Sequence, residues 1–458
     1  MMTTHKLGVL ALSAVLLASC STISNMNPFK GDGKDEAEAA EKAGRIAMVS
    51  AESVLQADPE LVSSAVILPD MEPVNAWEQA GRGSAKVPGH VRAGEAFDVA
   101  WTWSQGSGSD TNRALSAAPV AGNGKIYLID AKQVVFAIDA QTGKTVWKKE
   151  LSSGSKRDKR AFGGGLALKG DKLVIASGFG FVSLVDANTG AEIWKEEMQA
   201  PMTGSPTIVD NRIFIASNNN EFYAMMLDDG SVEWTDQAIA ESARVLSSPS
   251  PAGIDDFIVA PYSSGEVIAY LPSNGRRLWS DSLTRAGRFT PISAINDIAS
   301  RPVLRSGLVF ATSQSGVLAA IDGRSGSRIW SLPFGSTQAP NVVGDYLFAV
   351  GVDAQLICVE AASGRVVWVQ QLEMFRKPEK NKGRISYSGP ILASGKLVVV
   401  SSDGRLISFS PQTGEVLEEK QLVRIGRFGA DAGFFLEPIA YDGRLILLAD
   451  NGTLFSIR

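Results

Sequence analysis

Side chains able to do acid–base, nucleophilic or metal chemistry are scarce in this 458-residue chain. The only histidines are His5 and His90, and the only cysteines are Cys20 and Cys358. Both histidines lie outside the repeated body of the chain, so no histidine-dependent triad or histidine-rich zinc site is expected there. Carboxylates recur in a fixed place, since Asp139 and Asp186 each open an Asp-x-x-Thr-Gly sequence. An aspartate at that spacing hydrogen-bonds the backbone of a tight turn, a simpler use than binding calcium. No Walker loop, dinucleotide fingerprint or nucleophile elbow accompanies these turns. Catalytic, metal and cofactor residues are therefore not expected, and the chain reads as a non-enzyme. With 44 basic and 49 acidic residues, a formal −5, no overall basic field favours nucleic acid. Two basic runs, at 155–160 and 375–384, could touch lipid phosphates. Each also carries acid and lacks interleaved aromatics, so the simpler reading is a solvated loop.

The one cysteine with a chemical context is Cys20. Residues 5–20, HKLGVLALSAVLLASC, join a weakly basic start to about a dozen apolar residues, a signal-peptide length too short for a mature spanning helix. The ending Leu17-Ala18-Ser19-Cys20 resembles the bacterial lipobox, in which cleavage before the cysteine leaves an acylated thioether. Residues 1–19 are then a lipoprotein signal peptide, Cys20 is the lipidation site, and no intramolecular disulfide can form. Ser21 stands where inner-membrane lipoproteins usually carry aspartate, so this resemblance implies the periplasmic face of the outer membrane. Residues 20–95 differ in composition from the rest of the chain, with the alanine-rich, charged run GDGKDEAEAAEKAG and breaks at Pro59, Pro69, Pro73 and Pro88. They read as a lipidated tether, with a possible short helix near Asp35 to Ala43.

The elements that must carry any site come from a repeat. Gly143, Gly190, Gly230, Gly275, Gly326 and Gly364 are each followed four residues on by Trp147, Trp194, Trp234, Trp279, Trp330 and Trp368. Gly414 continues the series without its tryptophan. A period running from the high thirties to about fifty residues suits four short strands per unit and propeller blades. Within a unit, SPTIV, NRIFIAS, EFYAMML and SVEW read as a four-strand meander broken by Asn, Asp and Gly turns. The glycine belongs at the hairpin between the third and fourth strands, where positive φ is needed. Each tryptophan is expected on the outer strand, docking against the next blade. Six residues before the glycines stand Ala137, Leu184, Ala224, Ala269, Ala320, Cys358 and Ser408, nearly all small, so Cys358 reads as a buried filler. Units open near Pro119, Gly163, Pro206, Pro249, Pro302, Pro340, Pro390 and Pro438, which makes eight. The last holds only three strands, and FDVAWTW at 97–103 is an unassigned strand that can complete it. The expected fold is all-β, an eight-bladed β-propeller of four-stranded antiparallel blades over residues 96–458.

On such a ring the connections between blades are the natural binding elements. AIAESARVLSSP sets Arg244 among Val245, Leu246 and other apolar residues, and GRFTPISAINDIASRP sets Asp297 between isoleucines. An apolar loop carrying one charge has the mixed character of an interface patch.

The units resemble PQQ-like propeller repeats over about residues 97–458. Quinoprotein dehydrogenases in that group hold pyrroloquinoline quinone and calcium, typically with a vicinal cysteine pair and an acidic calcium cluster near the axis, whereas this sequence has no adjacent cysteines. The lipobox with Ser21, eight units, the ending DNGTLFSIR and AWEQAGRGSAKVPGH ahead of the ring together resemble the BamB family of outer-membrane lipoproteins. That resemblance implies a non-enzymatic scaffold of the β-barrel assembly machinery, binding the POTRA domains of BamA and contributing to assembly of outer-membrane proteins. Nascent barrel chains are further implied partners. It also implies that Arg244, Val245 and Leu246 supply the apolar contact and Asp297 an acidic one, although Ala299 stands where a second acid is common. The competing readings are a propeller adaptor for another envelope partner and, more remotely, a PQQ-dependent quinoprotein.

Overall fold

The computed structural model describes residues 55–61, 64–154, 160–239, 247, 249–284, 297–424 and 433–458. Blade 1 consists of Val120–Gly122, Lys125–Ile129, Val134–Asp139 and Thr145–Glu150. Blades 2 to 7 span 164–197, 207–237, 252–282, 303–332, 341–371 and 387–421, each an antiparallel meander in chain order. Blade 8 takes Ile439–Tyr441, Arg444–Leu448 and Leu454–Ile457 from the end of the chain, and its outer strand is Val99–Trp103. The expected eight-bladed propeller and its closure are thus observed. Trp103 faces Leu454, Val99 faces Ile457, and Asp98 and Arg458 exchange two backbone hydrogen bonds of 2.8 Å.

First strands of neighbouring blades touch and so surround the axis. The inner strands are covered on both faces by adjoining blades and are nearly continuous apolar runs, as in KIYLI of Lys125–Ile129 and FVSLVD of Phe181–Asp186. Fourth strands lie at the rim, and Thr145–Glu150, TVWKKE, alternates as a half-exposed strand should.

The repeated glycine and tryptophan serve each other across blades. All seven marker glycines have φ between 68° and 76°. A Cβ on any of them would stand 2.6–2.9 Å from the tryptophan of the preceding blade. Trp147 therefore covers Gly190, and Trp194, Trp234, Trp279, Trp330 and Trp368 cover Gly230, Gly275, Gly326, Gly364 and Gly414. Each of these six indole N–H groups donates to a carbonyl of the turn it covers, at 2.8–3.0 Å. Trp101, on the closing strand, does the same over Gly143, donating to the Ala140 carbonyl at 3.2 Å. Sequence spacing does not place Trp101 in the series, because Phe97 rather than glycine stands four residues before it. At the junction of blades 7 and 8 Glu418 takes the tryptophan position opposite Ser408, and Lys420 pairs there with Asp98 at 2.7 Å.

The column of small residues also has a physical cause. Ala137, Ala224, Ala320 and Cys358 each lie in register between a second-strand ring, Tyr127, Phe214, Phe310 or Phe348, and the fourth-strand tryptophan. The two rings approach over the small residue with centroids 5.9–6.2 Å apart. Leu184 fits in blade 2 because its second-strand partner is Val174, which has no ring to accommodate.

From Leu55 onward, the segment expected as part of a tether is packed on the ring. Trp77 exchanges backbone hydrogen bonds of 2.7 and 2.8 Å with Ala121 of blade 1. The Glu78 carbonyl accepts from Leu168 of blade 2, and the Gln79 amide clasps the backbone of Ile208 of blade 3 at 3.0 and 3.1 Å. Carbonyls of Ser84, Ala85 and Val74 accept from Gly253, Leu304 and Asp442 of blades 4, 5 and just beyond the first strand of blade 8. His90–Val91 adds a parallel strand to blade 7, and Asp58 N–H donates to Val366 of blade 6 at 2.7 Å. The segment therefore satisfies inner-edge backbone groups that would otherwise lie buried and unpaired. Its irregular course, broken by prolines, gives no periodic pattern from which this docking could be read.

Candidate functional site

The strap of residues 64–93 meets first strands near their ends, as at Ala121 of Val120–Gly122 and Ala393 of Tyr387–Ala393. First strands thus run toward the strap and fourth strands away from it. Every connection from a fourth strand to the next blade consequently leaves on the opposite face. That face is free of the strap among the described residues, and the described ends of the connections that the sequence marks as binding elements leave the ring there.

Arg244, Val245 and Leu246 belong to the connection from blade 3 to blade 4 and lie outside the described residues, as does Cys20. Asp297, in the connection from blade 4 to blade 5, is only 4% exposed. Its carbonyl accepts from Gln314 N–H at 3.1 Å, while the neighbouring Ile298 N–H donates to Tyr262 at 3.3 Å. This return of the connection into the ring draws the Asp297 side chain inward, so it is not displayed as the surface acid that the sequence suggested. Trp147, Trp194, Trp234, Trp279, Trp330 and Trp368 are the blade-docking residues and do not converge on a site.

On the same face a cavity of about 250 Å³ opens along the axis. Residues preceding the first strands line it, among them Ser205, Ser250, Ser300 and Gln338, together with Ser388 at the start of the first strand of blade 7, and Ala80 of the strap joins the lining. Arg301 and Glu437 form an ion pair of 2.5 Å in its wall, with side chains 10% and 16% exposed. Lys86 of the strap is fully buried close by, with Gln79 Oε1 at 3.5 Å from its ammonium. Burial, and then the Arg301 charge, hold Lys86 well below the ordinary lysine range, against a weaker opposing pull from Glu437. Sequence reasoning missed this cluster, yet a signal exists. The residue before the blade-opening proline is charged only at Arg301-Pro302 and Glu437-Pro438, with opposite signs.

The aspartates in the turns act as the sequence suggested. Asp139 Oδ1 accepts from Thr142 N–H and Oγ1–H at 2.8 and 2.7 Å, and Asp186 treats Thr189 alike. These hydrogen bonds lower both carboxyls from their ordinary range. The Cys358 thiol is pushed up by burial, and it sits between Phe348 and Trp368 rather than near a base. Among the described residues no three His, Cys, Asp or Glu side chains gather in a manner suited to a metal.

Comparison with known proteins agrees with the ring. A family model described as outer membrane protein assembly factor BamB matches residues 131–370, 320–424 and 353–457. A second, described as the β-propeller domain of glucose/ethanol/alcohol dehydrogenase, matches residues 94–167. The outer membrane protein assembly factor BamB of Escherichia coli strain K12 is 26% identical over 399 residues, covering 78% of this chain and 88% of that protein. Its counterpart in Moranella endobia is 25% identical over 343 residues, covering 74% and 84%. The crystal structure of BamB from Moraxella catarrhalis superposes with a TM-score of 0.65 at 15% identity, covering 79% of this chain and 99% of that one. Quinohemoprotein alcohol dehydrogenase from Comamonas testosteroni shares the fold with a TM-score of 0.63 at 14% identity, covering 84% and 80%. With the first model spanning most of residues 131–457, the chain belongs to the outer membrane protein assembly factor BamB family.

Proposed function

We propose that this chain is a non-enzymatic, lipid-anchored scaffold of the β-barrel assembly machinery. It docks the POTRA domains of BamA on its loop face and so assists insertion of barrel proteins into the outer membrane. The observation that carries this reading is the inequality of the two faces. One is occupied by the chain's own strap, while the other presents long interblade connections on a latched ring. In this proposal acylated Cys20 confines the ring to the periplasmic side of the outer membrane, which raises its concentration near a membrane-bound partner. Arg244 with Val245 and Leu246 supplies an apolar contact with one cation, and Asp297 positions the neighbouring connection from inside.

Titration of immobilised POTRA domains with the full-length chain tests the proposal. Arg244→Glu is expected to weaken binding at least tenfold, as reversal of a central interface arginine should. Unchanged affinity would remove Arg244 from the contact. Failure of the parent chain to bind POTRA domains, with capture of a different envelope protein, would instead support a general adaptor.

The shared fold with quinohemoprotein dehydrogenases raises one alternative, a quinone in the axial cavity. The residues present do not fit it. Arg301 is already consumed by Glu437, and the strap residue Ala80 joins the lining of a cavity of only about 250 Å³.

A further inference from the structure

One element of the loop face is neither latch nor core. The connection from blade 6 to blade 7 forms its own antiparallel hairpin, Phe375–Lys377 with Lys382–Arg384, joined by a 3-10 turn at Pro378–Lys380. Residues 375–384 carry five cations and one acid, Glu379, a net +4 on a chain whose total is −5. Register sets Lys377 directly opposite Lys382. Like charges facing each other across a strand pair are destabilising, so the pairing is not there for the hairpin's own stability. Lys377, Lys380 and Lys382 are exposed, and none of them has an ion-pair partner among the described residues.

The base of the hairpin is fixed. Arg384 donates to the Val352 carbonyl at 2.6 Å, Ile385 N–H to Met374 at 2.9 Å, and Tyr387 Oη–H to the Glu373 carbonyl at 2.9 Å. Ile385 and Tyr387 are buried. Three ammonium groups without an ion-pair partner among the described residues are thus held on a short, anchored projection.

We propose that this hairpin is an electrostatic contact for an anionic membrane surface, its lysines meeting lipid phosphates. Lysine is depleted at protein–protein interfaces, where aromatic and arginine anchors dominate, and no aromatic stands at this tip. Single-stranded nucleic acid would need interleaved stacking rings, which are likewise missing. A compact, strongly hydrated ammonium suits a phosphate-covered surface as a point charge. The 34 residues between Cys20 and Leu55 could extend roughly 120 Å, enough for an anchored chain to bring this face to the bilayer. This inference goes beyond the assembly role, and its electrostatic contact stands without it.

The test uses the chain from residue 20 onward, made without the leader and with Cys20→Ser so that neither leader nor acylation contributes, and vesicles of phosphatidylethanolamine with or without 30% phosphatidylglycerol. Co-sedimentation at about 0.1 M salt should require the anionic lipid and should vanish at about 0.5 M, where surface charges are screened. Each lysine near an anionic surface is worth about a fivefold change in affinity, so K377Q/K380Q/K382Q should bind roughly a hundredfold more weakly. K377R/K380R/K382R should bind like the parent, and both variants should melt like it. Equal sedimentation of the glutamine variant and its parent would overturn the proposal. So would a parent indifferent to phosphatidylglycerol, including one whose hairpin lysines prove to matter only for a protein partner. Because no POTRA domain is present, this outcome is independent of the assembly reading.

Discussion

If the glycine and tryptophan repeat is a steric latch, then Gly364→Ala should cost more than its backbone angle alone. Gly364 has φ of 76°, and its added Cβ would stand 2.6 Å from the Trp330 ring. Forcing alanine into the left-handed region costs about 1–2 kcal/mol. Displacing a packed ring adds about 1–3 kcal/mol, the usual range for overpacking. Gly307 supplies the control, with φ of 78° and nothing within 4 Å of its Cβ position, so Gly307→Ala should show only the backbone part. Trp330→Ala should itself cost about 3–5 kcal/mol, since it loses both the ring and its packing against Phe310. In the double variant the Cβ has room, and the two costs should fall short of their sum by about 1–3 kcal/mol. Urea unfolding of the parent and the four variants measures this coupling and its control. Additivity within about 0.5 kcal/mol would refute the latch, because residues without contact behave that way. So would equal losses for Gly364→Ala and Gly307→Ala.

Charge supplies two further perturbations. Lys86 has its proton affinity depressed in the folded ring, so the folded state binds fewer protons than the unfolded one and stability should rise with pH toward the ordinary lysine value near 10.5. Lys86→Met should raise the urea midpoint at pH 7, by about 1–4 kcal/mol in stability, and flatten that rise. A lower midpoint would mean that the ammonium is held in place by Glu437. Asp139, Asp186 and Asp322 have carboxyls lowered by their turn hydrogen bonds. Their contribution should be fully present above the unfolded value near 4 and lost as pH falls through the lower folded values. The triple Asp→Asn variant should therefore show a shallower decline of melting temperature between about pH 4 and pH 2 than the parent. A decline of equal slope would count against these turns as the acid-sensitive elements.

Much of the ring was legible because its physics is local and repeated. A glycine at a hairpin, a tryptophan four residues on and apolar runs between them recur often enough to fix strands, blades and count. The closing strand at 97–103 was recoverable from a deficit, since the last blade lacked its outer strand. What the sequence could not reveal was the strap, whose bonds join Trp77 to Ala121 and Glu78 to Leu168 through backbone atoms. Such bonds impose no side-chain periodicity, and the prolines between them resemble those of a flexible linker. Asp297 illustrates a different loss. An acid between isoleucines reads equally as an exposed tip or a buried support, and only the path of the returning loop decides. Arg301 and Glu437 are apparent only when residues preceding blade-opening prolines are aligned, because each looks like an ordinary surface charge by itself.

The strap also constrains how the molecule can be made. A chain made from its N-terminus presents residues 64–103 before any blade exists to receive them. Gln79 must wait for Ile208, and Val91 for Ala393, while the strand carrying Trp101 must wait for Ser456 in the last strand of the ring. Until the final strand emerges, the early segment keeps its polar groups in water and the inner edges of completed blades stay open. Closure of the ring therefore comes last, and a product lacking Leu454–Ile457 would leave the strand Val99–Trp103 without its partner, a checkpoint on the integrity of the ring.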